Sequence, residues 1–391
     1  MTVTGILRSA LFVGLIGFVT TVARGQAAAV DEEPFFDRVR APFWRASTQV
    51  EPLFFIQEVA DHRPQAKLLF PAARVLSLTS ADRLTRYEAE RDFTLGEDGA
   101  ISLPEGSRIP SMTPEQLYPL MTSNEPKIRG RRGDETRGIL FGEGAFYHEL
   151  QLEVTYDAGD VQWNGPRPQF AGELLPRMMA RLKKKQPLHI LVCGDSISAG
   201  GNASKVAKAS PGCPAFPELV AGALQGATGS EVTLTNVAVG GWTSDQGLKQ
   251  AREDRPAKAK PDLVIIAFGM NDVGRRDAAR YRTNIKGIMD EVRKDAPEAE
   301  FLLVATMLAN GEWFLPMEQF PLYRDALLEL QGPGVAVADL TAVWTELLKR
   351  KSYYDLTGNG VNHPNDYGHL VYGQVIFGVL NPVASEAGAV K

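Results

Sequence analysis

The chain has 391 residues, 44% of them hydrophobic and 23% charged, and its formal net charge is -5. This length exceeds one ordinary domain and the composition is that of a globular protein, so we expect two folded units and no disordered chain. An acidic chain has no overall positive field that would attract nucleic acid, and the histidines show no metal-ligand spacing. We therefore expect no nucleic-acid partner, no metal and no cofactor.

The amino terminus has the pattern of a secretory signal peptide. Arg8 precedes an apolar stretch over residues 10–22, and small residues follow, among them Gly25. The stretch is shorter than the roughly 20 residues needed to span a bilayer. We predict a signal peptide over residues 1–25 and a secreted or periplasmic protein, with no stable membrane insertion after cleavage.

Two cysteines, Cys193 and Cys213, would enter an oxidising compartment if the chain is exported. A local disulfide and a buried free Cys193 both fit the sequence, because spacing does not define the geometry that a disulfide needs.

Residues 31–160 contain short runs typical of β-strands, separated by turn residues. Residues 150–156 show the clearest alternation of apolar and polar side chains, which is the period of a half-buried strand. The other predicted strands are 52–56, 67–70, 74–78 and 100–103. This part of the chain is predicted to be a β-sandwich accessory domain of the jelly-roll type.

Residues 161–391 show apolar strands that alternate with amphipathic helices, beginning with a helix over residues 169–184. The predicted strands are 188–193, 232–239, 263–268, 301–306 and 335–338. Five parallel strands with short crossovers predict a three-layer α/β domain with a doubly wound sheet. Such sheets gather their functional residues at the carboxyl ends of the strands.

Residues with the chemistry of acyl transfer follow these strands in order. Ser196 comes where the first strand breaks into Gly-Asp-Ser, which is a setting suited to an exposed nucleophile. Gly241 follows the second strand and Asn271 the third, and each is able to offer an N–H group to an oxyanion. His363 precedes the last helix and is a candidate general base. A nucleophile, a base and two donors in this order predict an enzyme.

These blocks resemble those of the SGNH or GDSL hydrolases, over about residues 187–381. The resemblance implies a flavodoxin-like sheet, Ser196 as nucleophile and His363 as its base. It also implies an oxyanion hole formed by the Ser196 backbone N–H, the Gly241 N–H and the Asn271 side chain. No cofactor is implied.

One position departs from the family pattern, in which an aspartate usually stands three residues before the histidine. Here that position is Gly360. Asp355, Asp366, a backbone carbonyl or another side chain remain as candidates for orienting His363. We interpret the site as a Ser-His dyad in which Asp366 caps a helix and Asp355 serves in a turn.

The substrate is less defined by the sequence than the reaction. Trp242 and Trp313 are predicted to bind the substrate, because aromatic rings stack on sugars. A β-rich domain ahead of such a hydrolase resembles bacterial carbohydrate esterases, which favours O-deacetylation of a carbohydrate. A lipolytic esterase or thioesterase, and a non-catalytic glycan-binding protein, remain alternatives. The basic segment over residues 127–137 is predicted to be a solvated loop between strands, with contact to an acidic polysaccharide as the alternative.

Overall fold

The first part of the chain is rich in short antiparallel strands. The computed structural model describes residues 32–96, 99–160 and 163–381, so the predicted signal peptide lies outside the described residues. The strands of this region are β1 (Thr48–Leu53), β2 (Gln65–Lys67), β3 (Arg74–Ser80), β4 (Arg86–Tyr87), β5 (Thr94–Leu95), β6 (Ala100–Ser102), β7 (Lys127–Ile128), β8 (Ile139–Leu140) and β9 (Leu152–Asp157). A β-rich region therefore precedes the α/β part, as predicted.

These strands form three small sheets, with the orders β1-β9-β3-β4, β2-β6-β5 and β7-β8. Strand β9 pairs antiparallel with both β1 and β3. Its side chains alternate between buried and partly buried positions, which is the two-residue period of a strand with one face in the core.

The α/β part is built around a parallel sheet of five strands, as the sequence predicts. The strands are β10 (Leu188–Gly194), β11 (Val232–Asn236), β12 (Leu263–Ala267), β13 (Glu300–Ala305) and β14 (Val335–Asp339). Their order is β11-β10-β12-β13-β14. Every residue of β12 and β13 is buried, because helices cover both faces of such a sheet and its strands become continuous apolar runs.

The described residues form α-helices in both parts of the chain. They are α1 (Glu33–Arg40), α2 (Pro114–Leu117), α3 (Pro176–Lys183), α4 (Ser204–Ala207), α5 (Phe216–Thr228), α6 (Ser244–Glu253), α7 (Ala278–Asp295), α8 (Phe320–Leu328), α9 (Leu340–Leu347), α10 (Tyr353–Leu356) and α11 (Asp366–Leu380). Crossovers between parallel strands are right-handed. The chain moves one way along the sheet from β10 to β11 and the opposite way from β11 to β14. Helix α5 therefore lies on one face of the sheet, and α6 to α8 lie on the other. Helices α1, α5 and α11 pack together, as do α6, α7 and α8.

The β-rich region and the α/β part share one hydrophobic core. Val154 and Tyr156 of β9 belong to the same buried cluster as Phe216 of α5 and Leu370 of α11. The described residues from 32 to 381 belong to one compact unit. Independent folding of two domains, with a boundary at about residue 160, stays a prediction.

A buried lysine joins the two parts of the chain. The Lys351 Nζ atom lies 3.1 Å from Glu51 Oε2 and 3.4 Å from Asp355 Oδ2. The same ammonium group donates hydrogen bonds to the carbonyls of Pro52 and Lys67. A fully buried charge is tolerated only with such partners, so this contact fixes β1 against the segment that precedes α10.

Across the three described ranges, no helix combines the length and apolar character needed to cross a membrane. Cys193 and Cys213 are both buried and free, so the structure has no bridge between them.

Candidate active site

The nucleophile candidate lies at the carboxyl end of β10, where the order of the sheet reverses between β11 and β12. Ser196 is partly exposed in the turn two residues beyond the strand, whereas Asp195 beside it is buried. A Cβ atom at Gly194 would lie 2.3 Å from the Ser198 Oγ atom and 2.8 Å from the Ala267 carbonyl oxygen. Glycine is therefore needed where the chain turns sharply out of the sheet.

Two buried aspartates next to the site hold its loops together. Asp195 accepts a hydrogen bond from the Ile197 N–H at 3.0 Å, and burial raises the pKa of its carboxyl to about 7. Asp272 accepts from both the backbone N–H and the hydroxyl of Ser244, at the start of α6. Burial also raises the pKa of Asp272. Neither carboxylate contacts the imidazole of His363, so the contacts of both aspartates are structural.

His363 reaches the serine from a loop that one asparagine organises. The imidazole Nε2 atom lies 2.8 Å from Ser196 Oγ. The Asn359 Oδ1 atom accepts from the backbone N–H groups of Val361, Asn362 and His363 at 3.0–3.1 Å. This side chain replaces backbone pairing in a tight turn and leaves the ring with little freedom to move away from Ser196.

The helix that follows begins one residue earlier than a cap at Asp366 requires. Helix α11 starts at Asp366, and Asn365 is its cap, because its Oδ1 atom accepts from the Gly368 N–H at 3.0 Å. The predicted cap at Asp366 is therefore wrong. Asp366 is the first helical residue and accepts instead from the Ser204 N–H at 2.7 Å.

The other ring nitrogen of His363 meets two groups that the sequence did not suggest. The Nδ1 atom lies 2.7 Å from Asn202 Oδ1 and 3.4 Å from Glu143 Oε2. The Asn202 Nδ2 atom donates to the Gly144 carbonyl at 2.9 Å, which turns the amide oxygen toward the ring. If Ser196 donates to Nε2, then Nδ1 carries the proton and donates to Asn202.

Neither aspartate considered for this role reaches the imidazole. Asp355 is buried and accepts from the backbone N–H groups of Phe54 and Ser352 while it pairs with Lys351. Burial raises the pKa of Asp355 to about 6. Asp366 is directed to Ser204.

Gly360 occupies the usual place of the orienting acid, and the structure shows why no side chain fits there. A Cβ atom at this position would lie 2.3 Å from the Leu140 carbonyl oxygen and 2.5 Å from the Tyr147 Oη atom. The backbone φ of +92° also falls in the region that favours glycine. The β-rich region therefore fills the space that an aspartate would need.

The predicted oxyanion donors lie at the ends of the two strands that flank β10. Gly241 is exposed with φ of +76°, and a Cβ at its neighbour Gly240 would lie 3.8 Å from Ser196 Cβ. The Asn271 Nδ2 atom donates to the Trp242 carbonyl at 2.9 Å, which places the amide beside the Gly241 turn. An amide nitrogen has two N–H bonds, so the second is available to a substrate oxygen.

The aromatic residues proposed for substrate binding differ in their exposure. Trp242 is partly exposed beside Gly241. Trp313 is only 9% exposed, and its indole N–H donates to the Arg129 carbonyl at 3.2 Å, so the ring packs the loop and offers little surface to a ligand. Phe314 is 58% exposed at the tip of the same loop.

The basic segment over residues 127–137 is a largely exposed loop between β7 and β8, as predicted, and one of its arginines also holds a second loop. Arg132 donates to the carbonyls of Gly311, Trp313 and Leu315 at 2.6–3.0 Å. This loop after β13 is also tied to the histidine loop, since the Asn310 side chain donates to the Gly360 carbonyl at 2.8 Å. The β-rich region thus builds one side of the site.

Two residues at the site, Glu143 and Asn202, were missed by the sequence analysis. Glu143 lies between two glycines in Gly-Glu-Gly, and Asn202 follows the Gly-Gly pair that comes shortly after Ser196. A polar side chain next to glycines is a recognisable signal of a functional loop. The contact of Glu143 with His363, which lies 220 positions further along the chain, was not predictable from spacing.

A family model matches the α/β part of the chain. Residues 192–371 match the model of the GDSL-like lipase/acylhydrolase family. No curated protein matches the chain.

Several solved structures are similar at low identity. A two-domain esterase active on acetylated mannans, crystallised with mannopentaose, is 24% identical with a TM-score of 0.46, and the match covers 57% of this chain and 56% of that one. The lipase Lip_vut3 from a goat rumen metagenome is 17% identical over 48% of this chain and 95% of that one, with a TM-score of 0.40. An acetylxylan esterase from Geobacillus stearothermophilus is 20% identical over 48% and 92%, with a TM-score of 0.39.

Proposed function

We propose that the protein is a serine esterase that removes O-acetyl groups from carbohydrate, on the basis that residues 192–371 match the model of the GDSL-like lipase/acylhydrolase family. The observation that carries the catalytic part is the 2.8 Å contact between Ser196 Oγ and His363 Nε2. This distance allows direct proton transfer between a nucleophile and its base.

The reaction proceeds through an acyl-enzyme. As the Ser196 Oγ atom bonds to the ester carbonyl carbon, its proton passes to His363 Nε2 and the carbonyl electron pair moves onto the oxygen. The Ser196 and Gly241 backbone N–H groups and the Asn271 amide stabilise that oxyanion. The imidazolium then protonates the leaving alcohol, and a water molecule releases the acid by the same steps in reverse order.

The polar surroundings of the imidazole support a hydrophilic substrate. Glu143 leaves about half of its side chain exposed beside the ring. An apolar acyl chain would desolvate an ionised carboxylate at the rim, which is unfavourable, whereas sugar hydroxyls are able to hydrogen bond to it. Partly exposed Trp242 and exposed Phe314 offer ring faces to a sugar.

Export belongs to the same proposal. It rests on the signal-peptide pattern of residues 1–25. A secreted or periplasmic location would give the enzyme access to polysaccharide.

The proposal is tested by measuring acetate release from a panel of acetylated polysaccharides, beside p-nitrophenyl esters of increasing acyl length. We expect acetate release and a preference for acetyl over longer chains, with at least a 10³-fold loss in Ser196→Ala. Ser111→Ala is the matched control, because Ser111 is an exposed serine of the β-rich region.

A phosphonate probe that labels activated serines separates the alternatives. Labelling of Ser196 that His363→Ala abolishes is expected of an esterase, whereas a glycan-binding protein without catalysis would not react. Preference for long acyl chains, with no release from glycans, would instead identify a lipolytic enzyme.

A further inference from the structure

The Nδ1 atom of His363 is contacted by two acceptors of different chemistry. One is the amide oxygen of Asn202 at 2.7 Å, and the other is a carboxylate oxygen of Glu143 at 3.4 Å. They come from different parts of the chain, since Asn202 follows the nucleophile whereas Glu143 belongs to the β-rich region.

The amide orients the ring but brings no charge. Asn202 is 9% exposed, its backbone φ is +63°, and its Nδ2 atom is held by the Gly144 carbonyl. These contacts keep the amide oxygen on Nδ1 and therefore select the tautomer whose Nε2 atom is free to accept a proton from Ser196. A neutral amide provides little compensation for the positive charge that the ring acquires when it takes that proton.

Glu143 is the charged group beside the ring. Its other oxygen, Oε1, accepts from the Asn359 Nδ2 atom at 3.3 Å, so the carboxylate is held by the residue that also organises the histidine loop. The contact with His363 lowers the pKa of Glu143, which is therefore ionised at neutral pH. His369, the nearby second histidine, is buried, and burial lowers its pKa to about 4, so it is uncharged there.

The segment that carries Glu143 also excludes an acid from the usual position. The Leu140 carbonyl and the Tyr147 hydroxyl occupy the space of a side chain at position 360, and Glu143 lies between these two residues in sequence. The Gly142 N–H donates to the Asn359 carbonyl at 3.4 Å, which docks this segment on the histidine loop. One segment of the β-rich region therefore excludes a carboxylate side chain at position 360 and places the Glu143 carboxylate beside His363.

We propose that Glu143 is the carboxylate of the active site, acting as a positioning residue that stabilises the imidazolium while Asn202 holds the resting ring. The inference rests on the proposed esterase function. During attack the Ser196 proton moves to Nε2, Nδ1 keeps its own proton, and Glu143 stays ionised throughout. The β-rich region is then part of the catalytic machinery rather than an appended module.

The first test is Glu143→Gln, which keeps the size and hydrogen-bonding capacity of the side chain and removes its charge. We expect kcat for p-nitrophenyl acetate to fall about 10- to 100-fold with little change in KM, since supporting carboxylates typically have effects of this size. The rate at which a phosphonate probe labels Ser196 falls by a similar factor. Glu149→Gln is the control, an exposed carboxylate of the same segment.

Restoring a carboxylate distinguishes a charge effect from a structural one. Formate is able to enter the space vacated in Glu143→Ala because the side chain is half exposed, and we expect it to restore kcat, whereas formamide does not. Asn202→Asp, combined with Glu143→Gln, would place a carboxylate at the 2.7 Å position and is also expected to recover activity.

Three results would overturn the proposal: an unchanged kcat and labelling rate in Glu143→Gln, a loss that neither formate nor Asn202→Asp reverses, or an equal loss in Glu149→Gln. Failure of the esterase function itself would look different. In that case the wild-type protein would neither hydrolyse esters nor react with the probe at Ser196.

Discussion

At the scale of single residues, the site depends on positions where a side chain is excluded as much as on those that carry chemistry. Gly194 allows the nucleophile turn to leave β10 beside Ser198, and Gly360 allows the histidine loop to lie against Leu140 and Tyr147. At both positions a Cβ atom would meet backbone or well-packed atoms that are unable to move away. The departure from the family pattern at Gly360 is thus a packing requirement of this chain.

Introducing the usual acid, by Gly360→Asp, is therefore expected to damage the protein rather than improve it. The new Cβ would lie 2.3 Å from the Leu140 carbonyl oxygen, and the φ of +92° is strained for aspartate. We expect a loss of about 2 kcal/mol or more in the free energy of unfolding, measured by urea denaturation, together with lower esterase activity.

Gly332→Ala is a suitable control for this substitution, because a Cβ at Gly332 has no neighbour within 4 Å. A Gly360→Asp variant as stable as wild type and at least as active would show that the β-rich region does not restrict this position.

At the scale of elements, the site is formed by loops that hold one another. The loop after β13 is fixed on one side by Asn310, which bonds the Gly360 carbonyl, and on the other by Arg132 from the β-rich region. Arginine suits this role because its guanidinium offers several donors in a fixed plane, and here it serves three carbonyls at once. Through Arg132, the basic segment thus fixes the loop that carries Trp313 and Phe314.

Removing these three hydrogen bonds by Arg132→Ala should make the loop more mobile without changing Ser196 or His363. We expect faster amide hydrogen exchange over residues 310–315 and a several-fold higher KM for the acetylated glycan, while kcat for p-nitrophenyl acetate stays within about twofold. Arg129→Ala, at an exposed arginine of the same segment, provides the comparison. Unchanged exchange in the loop would mean that Arg132 is dispensable for its order.

At the scale of the whole molecule, the β-rich region and the α/β part are joined by a shared core and by a buried ionic cluster. The ammonium group of Lys351 meets carboxylates from both parts, Glu51 and Asp355. Glu51 in turn accepts from the Leu69 N–H at 2.8 Å, which extends the connection into the chain after β2. Because these partners are buried together, separation of the two parts would expose charges and apolar surface at the same time.

Lys351→Met is expected to destabilise the protein strongly. Removing one partner of a buried pair typically costs about 3–5 kcal/mol, since the remaining carboxylates are left without compensation. The loss should grow as pH rises. Burial already raises the pKa of Asp355 to about 6, so the folded state loses stability as pH increases from about 4 through 6. The Lys351 ammonium opposes this shift, because it favours the ionised carboxylate. Without it, the loss of stability with rising pH becomes larger.

Denaturation at pH 5 and pH 8, with the exposed Lys349→Met as control, measures this effect. Wild-type protein is expected to unfold in one transition because its core is continuous. Two separate transitions, of which Lys351→Met affects only one, would instead support two independently folding domains.

Local pattern alone was sufficient to predict the five-stranded sheet and the placement of Ser196, Gly241, Asn271 and His363 after its strands or before its last helix. A buried parallel strand has a continuous apolar signature, and the order of the strands dictates that their carboxyl ends meet. These are properties of neighbouring residues, so one sequence contains them. The same local patterns predicted that helix α3 begins at residue 169, whereas it begins at Pro176. They also did not predict that Trp313 is buried.

Only the tertiary structure decided which group faces the second nitrogen of His363. Asp355 and Asp366 are nearer to the histidine in sequence, yet both are committed to other partners, while Glu143 reaches it from 220 residues away. Contacts between distant segments depend on how the β-rich region packs on the histidine loop, and no periodicity or spacing records that packing. The sequence by itself therefore determined the sheet and the place of Ser196, and the packing of two parts of one core determined the surroundings of His363.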